Sequence, residues 1–344
     1  MPNSTPKPQG CEVCSKTDSL VRCSGCQVIY YCGREHFLAD QALHKVHCAP
    51  VKKARKKYEV EEQKLRDAPP DIFLPERVFE TCAGSFWGII ETRPYMRARN
   101  DLAHGMLLHL GQTNNRPDVV ATALDHFRDM LRLCRGDNIG VRYVVPALYV
   151  RLNRDQEAYD FLKWWATRGP DFDWGDMSLP YLDIKGADAF EPVGDMWSGP
   201  FTELSLGTMA FLIKSRLLLD LKTLQTIQTS NVDKTPDEVA DLARERLSDG
   251  IVASRPDILT EGPADTAVRR RGLEKQLKLI YDAIHSSNEH YWSCMIENPC
   301  GVRHDGPFVR RSRHEAELTL EYNYRAWKET PGALELVKEL TAKR

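Results

Sequence analysis

The sequence predicts a mainly α-helical protein in which a small metal-stabilised module precedes a larger helical domain. Six of the ten cysteines and three of the ten histidines lie within residues 11–48. From residue 71 onwards, apolar side chains recur every three to four residues, as they do on the buried faces of helices. Two helix pairs in this region carry similar short sequences 35 residues apart. A chain of 344 residues is long enough for one large domain and one small module.

The N-terminal module contains eight metal-ligand candidates in four closely spaced pairs. Two Cys-x2-Cys pairs are followed by a Cys-x3-His pair and a His-x3-Cys pair, and the last two have the i, i+4 spacing of one helix face. Four pairs supply the donors for two tetrahedral zinc ions, and thiolate with imidazole favours zinc over magnesium or calcium. The alternative is a set of unrelated buried cysteines. The candidate ligands are Cys11, Cys14, Cys23, Cys26, Cys32, His36, His44 and Cys48.

The order of these residues resembles the MYND-type zinc finger, and the chain as a whole resembles a fungal-like protein of this type. The family's ending, Tyr-Cys followed by a ligand, seven residues, His, three residues and Cys, corresponds to Tyr31 through Cys48. The resemblance implies interleaved ligands. Cys11, Cys14, Cys32 and His36 would hold the first zinc ion, and Cys23, Cys26, His44 and Cys48 the second.

Three positions depart from the family pattern. His36 stands where cysteine is commoner, and it remains a competent ligand. Phe37 replaces a common glutamine and Gln41 a common tryptophan, and those two positions help to form the groove of members that bind proline-rich peptides. Binding of such peptides is therefore an open question. His47 could compete with His44 as a ligand, but His44 keeps the helical spacing to Cys48.

Changes in composition predict four parts. Residues 1–9 are a disordered tail, 10–50 the finger, 51–70 a charged helical linker and 71–344 the α-helical domain. The basic run 52–57 is either a nuclear-import signal or the solvated part of a connecting helix without a continuous apolar stripe. Because metal would stabilise the finger and apolar burial the helical domain, we expect chelation to unfold the finger alone.

The helical domain resembles tetratricopeptide-type repeats. The segments 123–127 and 158–162 begin with alanines at matching places, 35 residues apart, close to that family's period of about 34. A generic helical domain is the alternative, because two weak repeats fall short of the three that stacking requires. Further along, residues 203–224 predict a helix central to the core. Thr235-Pro236-Asp237-Glu238 predicts a capped helix start.

A second cysteine–histidine group occurs near the end of the chain. It consists of His290, Cys294, Cys300 and His304. A third metal site is one interpretation, but the Cys-x5-Cys spacing is unusual for zinc, and buried unligated cysteines are the other interpretation. Cys82 and Cys134 stand alone in helical apolar settings and are predicted to be core residues.

The composition and the absence of several sequence motifs argue against some classes of function. The formal net charge of −2, with 47 basic and 49 acidic residues, argues against a polyanion-binding protein, so direct nucleic-acid binding is not expected. Neither a secretory signal nor a membrane span is apparent, which predicts the cytosol or the nucleus. We find no phosphate-binding loop, no dinucleotide-binding glycine motif, no His-Glu-x-x-His and no Gly-x-Ser-x-Gly.

The sequence therefore predicts no enzyme and no catalytic residue. It predicts a zinc-binding adaptor whose finger and helical scaffold bind protein or peptide partners. The alternative is a nuclear regulator of the transcriptional or corepressor type.

Overall fold

The computed structural model describes residues 10–111, 116–169, 171–199, 203–247, 250–297 and 309–342. Within these ranges the chain is predominantly helical, with a small finger before the helices, as predicted. The predicted tail at residues 1–9 lies outside the described residues. The strands are β1 (Val21–Arg22) and β2 (Tyr30–Tyr31). The helices are α1 (Arg34–Asp67), α2 (Val78–Thr81), α3 (Arg93–His109), α4 (Pro117–Leu133), α5 (Val145–Arg151), α6 (Asp155–Thr167), α7 (Asp195–Ser198), α8 (Leu204–Ser230), α9 (Pro236–Arg244), α10 (Gly250–Ala253), α11 (Pro256–Leu259), α12 (Pro263–Ser287), α13 (Tyr291–Ile296), α14 (Arg313–Lys328) and α15 (Ala333–Ala342).

The chain forms two compact units. The first comprises Met1–Leu148 and Asp173–Tyr181, and the second comprises Tyr149–Phe172 and Leu182–Arg344. In the first unit, α1 packs along α3, and α3 packs against α4. The finger belongs to this unit. No helix of the described residues is both long enough and apolar enough to span a bilayer.

Helix α1 joins the finger to the rest of the first unit without a break. It begins directly after the last strand residues of the finger and continues through Pro50 to Asp67. The predicted boundary at residue 50 therefore falls inside a helix. Ala68 ends the helix in an extended conformation, which the two prolines after it, Pro69 and Pro70, favour.

The segment predicted to be a solvated linker has a buried stripe, which corrects the prediction. Val51 is fully buried and Leu65 is buried, while Ala54 and Tyr58 are half-buried and lie at helical spacing between them. The stripe was not apparent in the sequence because Glu61 and Glu62 interrupt its apolar pattern between Tyr58 and Leu65.

One hydrophobic core includes both the finger and the helices that follow it. Buried finger residues, among them Cys26, Val28 and Ile29, cluster with Val51 of α1 and with side chains of α3 and α4. The helical members are Leu102, Met106, Leu110 and Val119. The expectation that metal and apolar burial stabilise two separate parts is therefore wrong for this unit, because the finger shares its apolar core with α3 and α4.

The second unit is organised around α8 and α12. Helix α8 is buried along most of its length, as predicted for residues 203–224, and it packs against α12. Phe211 of α8 lies 5.1 Å from the Trp292 ring, which stacks on Tyr281 of α12 at 4.7 Å. Helix α9 begins with the predicted cap: Thr235 accepts a hydrogen bond from the backbone N–H of Glu238, and the Glu238 carboxylate accepts one from the Thr235 backbone.

The helices assigned to repeats are present. Helix α3 begins at Arg93, because Pro94 suits a first helical turn. A 3-10 turn, Val141–Tyr143, precedes the short helix α5. The predicted repeat alanines, Ala123 and Ala158, are fully buried. The second helix pair falls across the two units, so stacking as repeats stays a prediction.

The cysteines outside the finger differ in burial. Cys134 is buried as predicted, but Cys82 ends α2 and is only half-buried, so its assignment to the core is wrong. Cys294 is buried in α13. The nine described cysteines are free thiols. Of the possible third metal group, Cys300 and His304 lie outside the described residues.

Candidate metal centre

Both Cys-x2-Cys pairs form the same kind of tight turn. Residue Ser15, after the first pair, donates its backbone N–H to the Cys11 carbonyl at 2.8 Å, and Gln27, after the second pair, donates to the Cys23 carbonyl at 3.0 Å. Both residues have positive φ, 59° and 56°. This left-handed residue reverses the chain, so that the two sulfurs of each pair point to the same side.

A two-stranded hairpin and the start of α1 carry the remaining ligands. In the antiparallel pair, Val21 lies opposite Tyr31, and Arg22 opposite Tyr30. Cys32 follows β2, and α1 then presents His36, His44 and Cys48 at intervals of eight and four residues. The helical period places these three side chains along one side of α1, facing the two turns.

The first cluster consists of Cys11, Cys14, Cys32 and His36. The Cys14 and Cys32 sulfurs are 3.6 Å apart. His36 places Nδ1 3.4 Å from the Cys11 sulfur and 3.0 Å from the Cys32 sulfur. Cys11 is buried, while Cys14 is exposed, so this cluster lies at the edge of the finger.

The second cluster consists of Cys23, Cys26, His44 and Cys48, and all four residues are buried. The sulfurs of Cys23 and Cys48 are 3.8 Å apart. His44 places Nε2 3.3 Å from the Cys23 sulfur and 3.7 Å from the Cys26 sulfur. The two histidines therefore present different ring nitrogens, a detail that the sequence did not indicate.

These separations fit tetrahedral zinc. Zinc–sulfur bonds of about 2.3 Å and zinc–nitrogen bonds of about 2.0–2.1 Å place two sulfurs about 3.8 Å apart and a sulfur and a nitrogen about 3.5 Å apart. The donor atoms within each cluster all lie within 4.8 Å of one another. The two clusters fit two zinc ions, with ligands interleaved along the chain as the resemblance implied.

The electrostatics of the thiols favour a bound cation. Burial raises the pKa of Cys26 to about 12, and burial together with the neighbouring thiols raises that of Cys32 to about 11. Burial also opposes ionisation of Cys11, but hydrogen bonds from the backbone of Cys32, Cys14 and Val13 outweigh it and lower the pKa to about 6. Adjacent thiols therefore cannot all ionise alone, and a divalent cation supplies the missing charge.

Neighbouring groups hold the second cluster in place. The Gly25 backbone N–H points at the Cys23 sulfur at 3.4 Å, and a Cβ on Gly25 would lie only 2.8 Å from the Cys48 sulfur. Arg55 of α1 donates to the Cys26 carbonyl at 3.0 Å. The ring of Tyr31 lies 5.9 Å from that of His44. The second turn is thus fixed to α1 by contacts beyond the ligands themselves.

The other finger residues singled out from the sequence lie outside the clusters. His47 is exposed and belongs to neither cluster, so the structure brings His44 and not His47 to the second site. Phe37 is half-buried, with its ring 5.4 Å from that of Tyr31, and Gln41 is exposed. Tyr31 in turn donates its hydroxyl to Asp40 at 2.7 Å, a finger contact that the sequence reading missed. Phe37 therefore packs within the finger.

Comparison with known proteins agrees with this geometry. Residues 11–48 match the family model of the MYND finger. The chain is 35% identical over 79 residues to histone-lysine N-methyltransferase ASHR1 of Arabidopsis thaliana, which covers 23% of this chain and 15% of that protein. It is 36% identical over 69 residues to Egl nine homolog 1 of Homo sapiens, covering 20% of this chain and 16% of that protein.

The similarity to both relatives is confined to the region of the finger, and the chain spans about one sixth of their lengths. No solved structure matches the chain. The family match, the order of the ligands and the two four-donor clusters agree with one another. Residues 11–48 of this chain are a MYND zinc finger.

Proposed function

We propose that the chain is a zinc-binding adaptor for protein–protein interaction, in which the eight clustered residues hold two structural zinc ions. One observation carries the proposal: each cluster contains four protein donors at tetrahedral separations. Four protein ligands leave no coordination position for water or substrate. Each ion therefore stabilises the fold of the finger and does not activate a water molecule or a substrate.

We further propose the predicted domain organisation, with the finger at residues 10–50, a helical connection at 51–70 and a helical domain at 71–344 that acts as the scaffold. The packing of α3 on α4, with Ala98, Ala103 and Ala123 fully buried, supports a tetratricopeptide-like helix pair. Small residues of this kind allow two helices to approach closely. Such a scaffold would present a second surface to a partner.

The activities named in the two relatives are not proposed for this chain. One relative is named as a methyltransferase, and both are similar to this chain only in the region of the finger. The alternative of a nuclear corepressor-type regulator has no specific support in the site. None of the nine described cysteines forms a disulfide, and six of them belong to the zinc clusters. Such cysteines suit a reducing compartment, so we propose a cytosolic or nuclear location.

The test compares His44→Ala with His47→Ala, which lie three residues apart on one helix. His44 is buried in the second cluster and His47 is exposed. We expect elemental analysis to give two zinc ions per chain for the wild type and for His47→Ala. We expect His44→Ala to lose zinc from the second site.

Affinity purification from cells then tests the adaptor role. Proteins captured by the wild type and by His47→Ala, but lost with His44→Ala, would support it. Near-unchanged circular dichroism would indicate that the second unit remains folded in all three proteins. The same capture by a variant with a zinc-depleted finger would contradict a zinc-dependent interaction module.

A further inference from the structure

Helix α1 has a long exposed face, on which the Lys52 Cδ lies 3.4 Å from where a Cβ on Gly25 would stand. We call it the α1 face and define it by Leu38, Lys45, Val46, Lys52, Lys53 and Lys56, all of them exposed. At about 100° per residue, the six positions fall within an arc of about 120°, which is one side of the helix. From Leu38 to Lys56 the face extends about 27 Å.

The buried residues of α1 lie on its opposite side. His44, Cys48, Val51 and Leu65 are the buried residues of α1, and the helix packs along α3. Zinc ligation and the shared core therefore occupy one side only. That packing holds the α1 face in place, and its six side chains are exposed.

The face is strongly basic. Between Asp40 and Glu59 the sequence contains six lysines and arginines and no acidic residue, although the whole chain carries a net charge of −2. Two of the six have partners: Arg55 donates to the Cys26 carbonyl, and Lys57 pairs with Asp101 at 2.8 Å. Within the described ranges, the four lysines of the α1 face have no carboxylate within 4.0 Å.

The face is also partly apolar, and its apolar members are unusually exposed. Leu38 is 52% and Val46 is 70% exposed, and Leu43 beside them is 74% exposed. These are three large aliphatic side chains exposed within nine residues of one helix, more apolar surface than a solvated helix needs. Lysine stems next to them extend the apolar area, while their ammonium groups remain at its edge.

We propose that the α1 face is the docking surface for an acidic segment of a protein partner that carries aliphatic side chains among its carboxylates. This inference rests on the proposed adaptor function and names the chemistry of one partner. Carboxylates would pair with Lys45, Lys52, Lys53 and Lys56, and aliphatic side chains would cover Leu38 and Val46. An amphipathic helix of about 18 residues matches the length of the face.

Two other polyanions fit this surface less well. Base-specific or single-strand recognition of nucleic acid relies on arginine contacts or aromatic stacking, and the α1 face has neither an arginine nor an aromatic residue. Lysine contacts to phosphates alone would give only non-specific binding. A membrane-binding helix would separate a broad apolar face from its lysines, whereas Lys53 here lies one helical turn from Lys56 and two turns from Val46 within the same stripe.

The experiment measures binding of the full chain to a fluorescent synthetic peptide of about 18 residues, with leucines at helical spacing among glutamates. We expect saturable binding that weakens as salt rises from about 0.05 M to about 0.3 M. A quadruple variant would carry Lys45→Glu, Lys52→Glu, Lys53→Glu and Lys56→Glu. We expect it to bind the peptide at least about tenfold more weakly than the wild type. The double change Leu38→Ser and Val46→Ser should weaken binding about threefold to tenfold.

The matched control reverses the same number of exposed charges elsewhere, at Lys234, Lys275, Lys328 and Lys338. This control should bind the peptide about as tightly as the wild type. Equal weakening by both charge reversals would overturn the proposal, because net charge alone would then explain binding. Tighter binding to a DNA duplex or to phosphatidylserine vesicles than to the peptide would also overturn it, as would unchanged binding by the face variants.

The two proposals fail in different ways. The α1-face variants leave all eight ligands in place, so they should retain two zinc ions per chain. If partner capture requires zinc but the face variants still bind the peptide and the partner, the adaptor function stands and the α1 face is not its surface. If the face variants lose peptide binding while a zinc-depleted variant still captures the partner, the docking surface is supported and the zinc-dependent adaptor function is contradicted.

Discussion

Glu12, which follows the first zinc ligand in the chain, forms an ion pair with Arg116, the residue that precedes α4. Arg116 also donates to both carboxylate oxygens of Asp118, at 3.2 and 3.0 Å. The side chains of Arg116 and Asp118 are 7% and 4% exposed. One nearly buried guanidinium thus links the first turn of the finger to the helix that shares its core.

We expect Arg116→Met to destabilise the first unit by about 3 kcal/mol or more, because it leaves the Asp118 carboxylate buried without a counter-charge. Urea unfolding monitored in the first unit is the measurement. Arg77→Met is the control, because Arg77 pairs with Glu80 at 3.9 Å between two exposed side chains, and little change is expected. Equal effects of the two substitutions would mean that Arg116 does not connect the finger to α4.

Gly25 should be intolerant of any side chain. A Cβ at this position would lie 2.8 Å from the Cys48 sulfur, so Gly25→Ala must displace a ligand of the second cluster. We expect zinc affinity at that site to fall by about 10–100-fold, measured by competition with a coloured chelator. Gly33→Ala is the control, because a Cβ there meets no atom within 4 Å and its φ of 175° is ordinary extended backbone.

The local chemistry of the site could be predicted from the sequence, but its packing could not. Ligand identity follows from donor type and spacing, which is why the clusters formed from Cys11 to Cys48 match the expectation. Val28 and Ile29 share one hydrophobic cluster with Leu102 and Met106, which depends on how α1 orients the finger against α3. No periodicity within either segment carries that information. The half-exposed Cys82 was missed for the same reason, since hydrophobic neighbours in sequence do not determine burial at a helix end.

The shared core changes the expected result of zinc removal. We expect a strong chelator to raise amide exchange in the finger and also at the core-facing positions of α3 and α4, because Leu102, Met106 and Val119 lose their apolar partners. Hydrogen–deuterium exchange with mass spectrometry measures this by segment. Helices α8 and α12 of the second unit are the internal control and should keep their protection. Faster exchange confined to residues 11–48 would contradict the shared core.

Lys214 predicts an unusual dependence of stability on pH in the second unit. Its side chain is fully buried, and its ammonium donates to the carbonyls of Ala189 and Glu191 and to the Gln276 side chain, at 2.7–3.0 Å. Burial lowers the pKa of Lys214 from 10.5 to about 8, an effect that Glu191 and Asp188 partly offset. Between these two values the unfolded chain holds the proton and the folded chain releases it.

Stability therefore rises with pH in this window, because the unfolded state binds more protons than the folded state. We expect the free energy of unfolding of the wild type to increase, relative to Lys214→Met, by on the order of 3 kcal/mol between about pH 8 and about pH 10.5. Urea unfolding of both proteins across this range is the measurement. The methionine variant starts less stable, since three acceptors lose their donor, so the slopes are compared and not the absolute values. Parallel curves would mean that the Lys214 ammonium keeps its ordinary pKa in the folded protein.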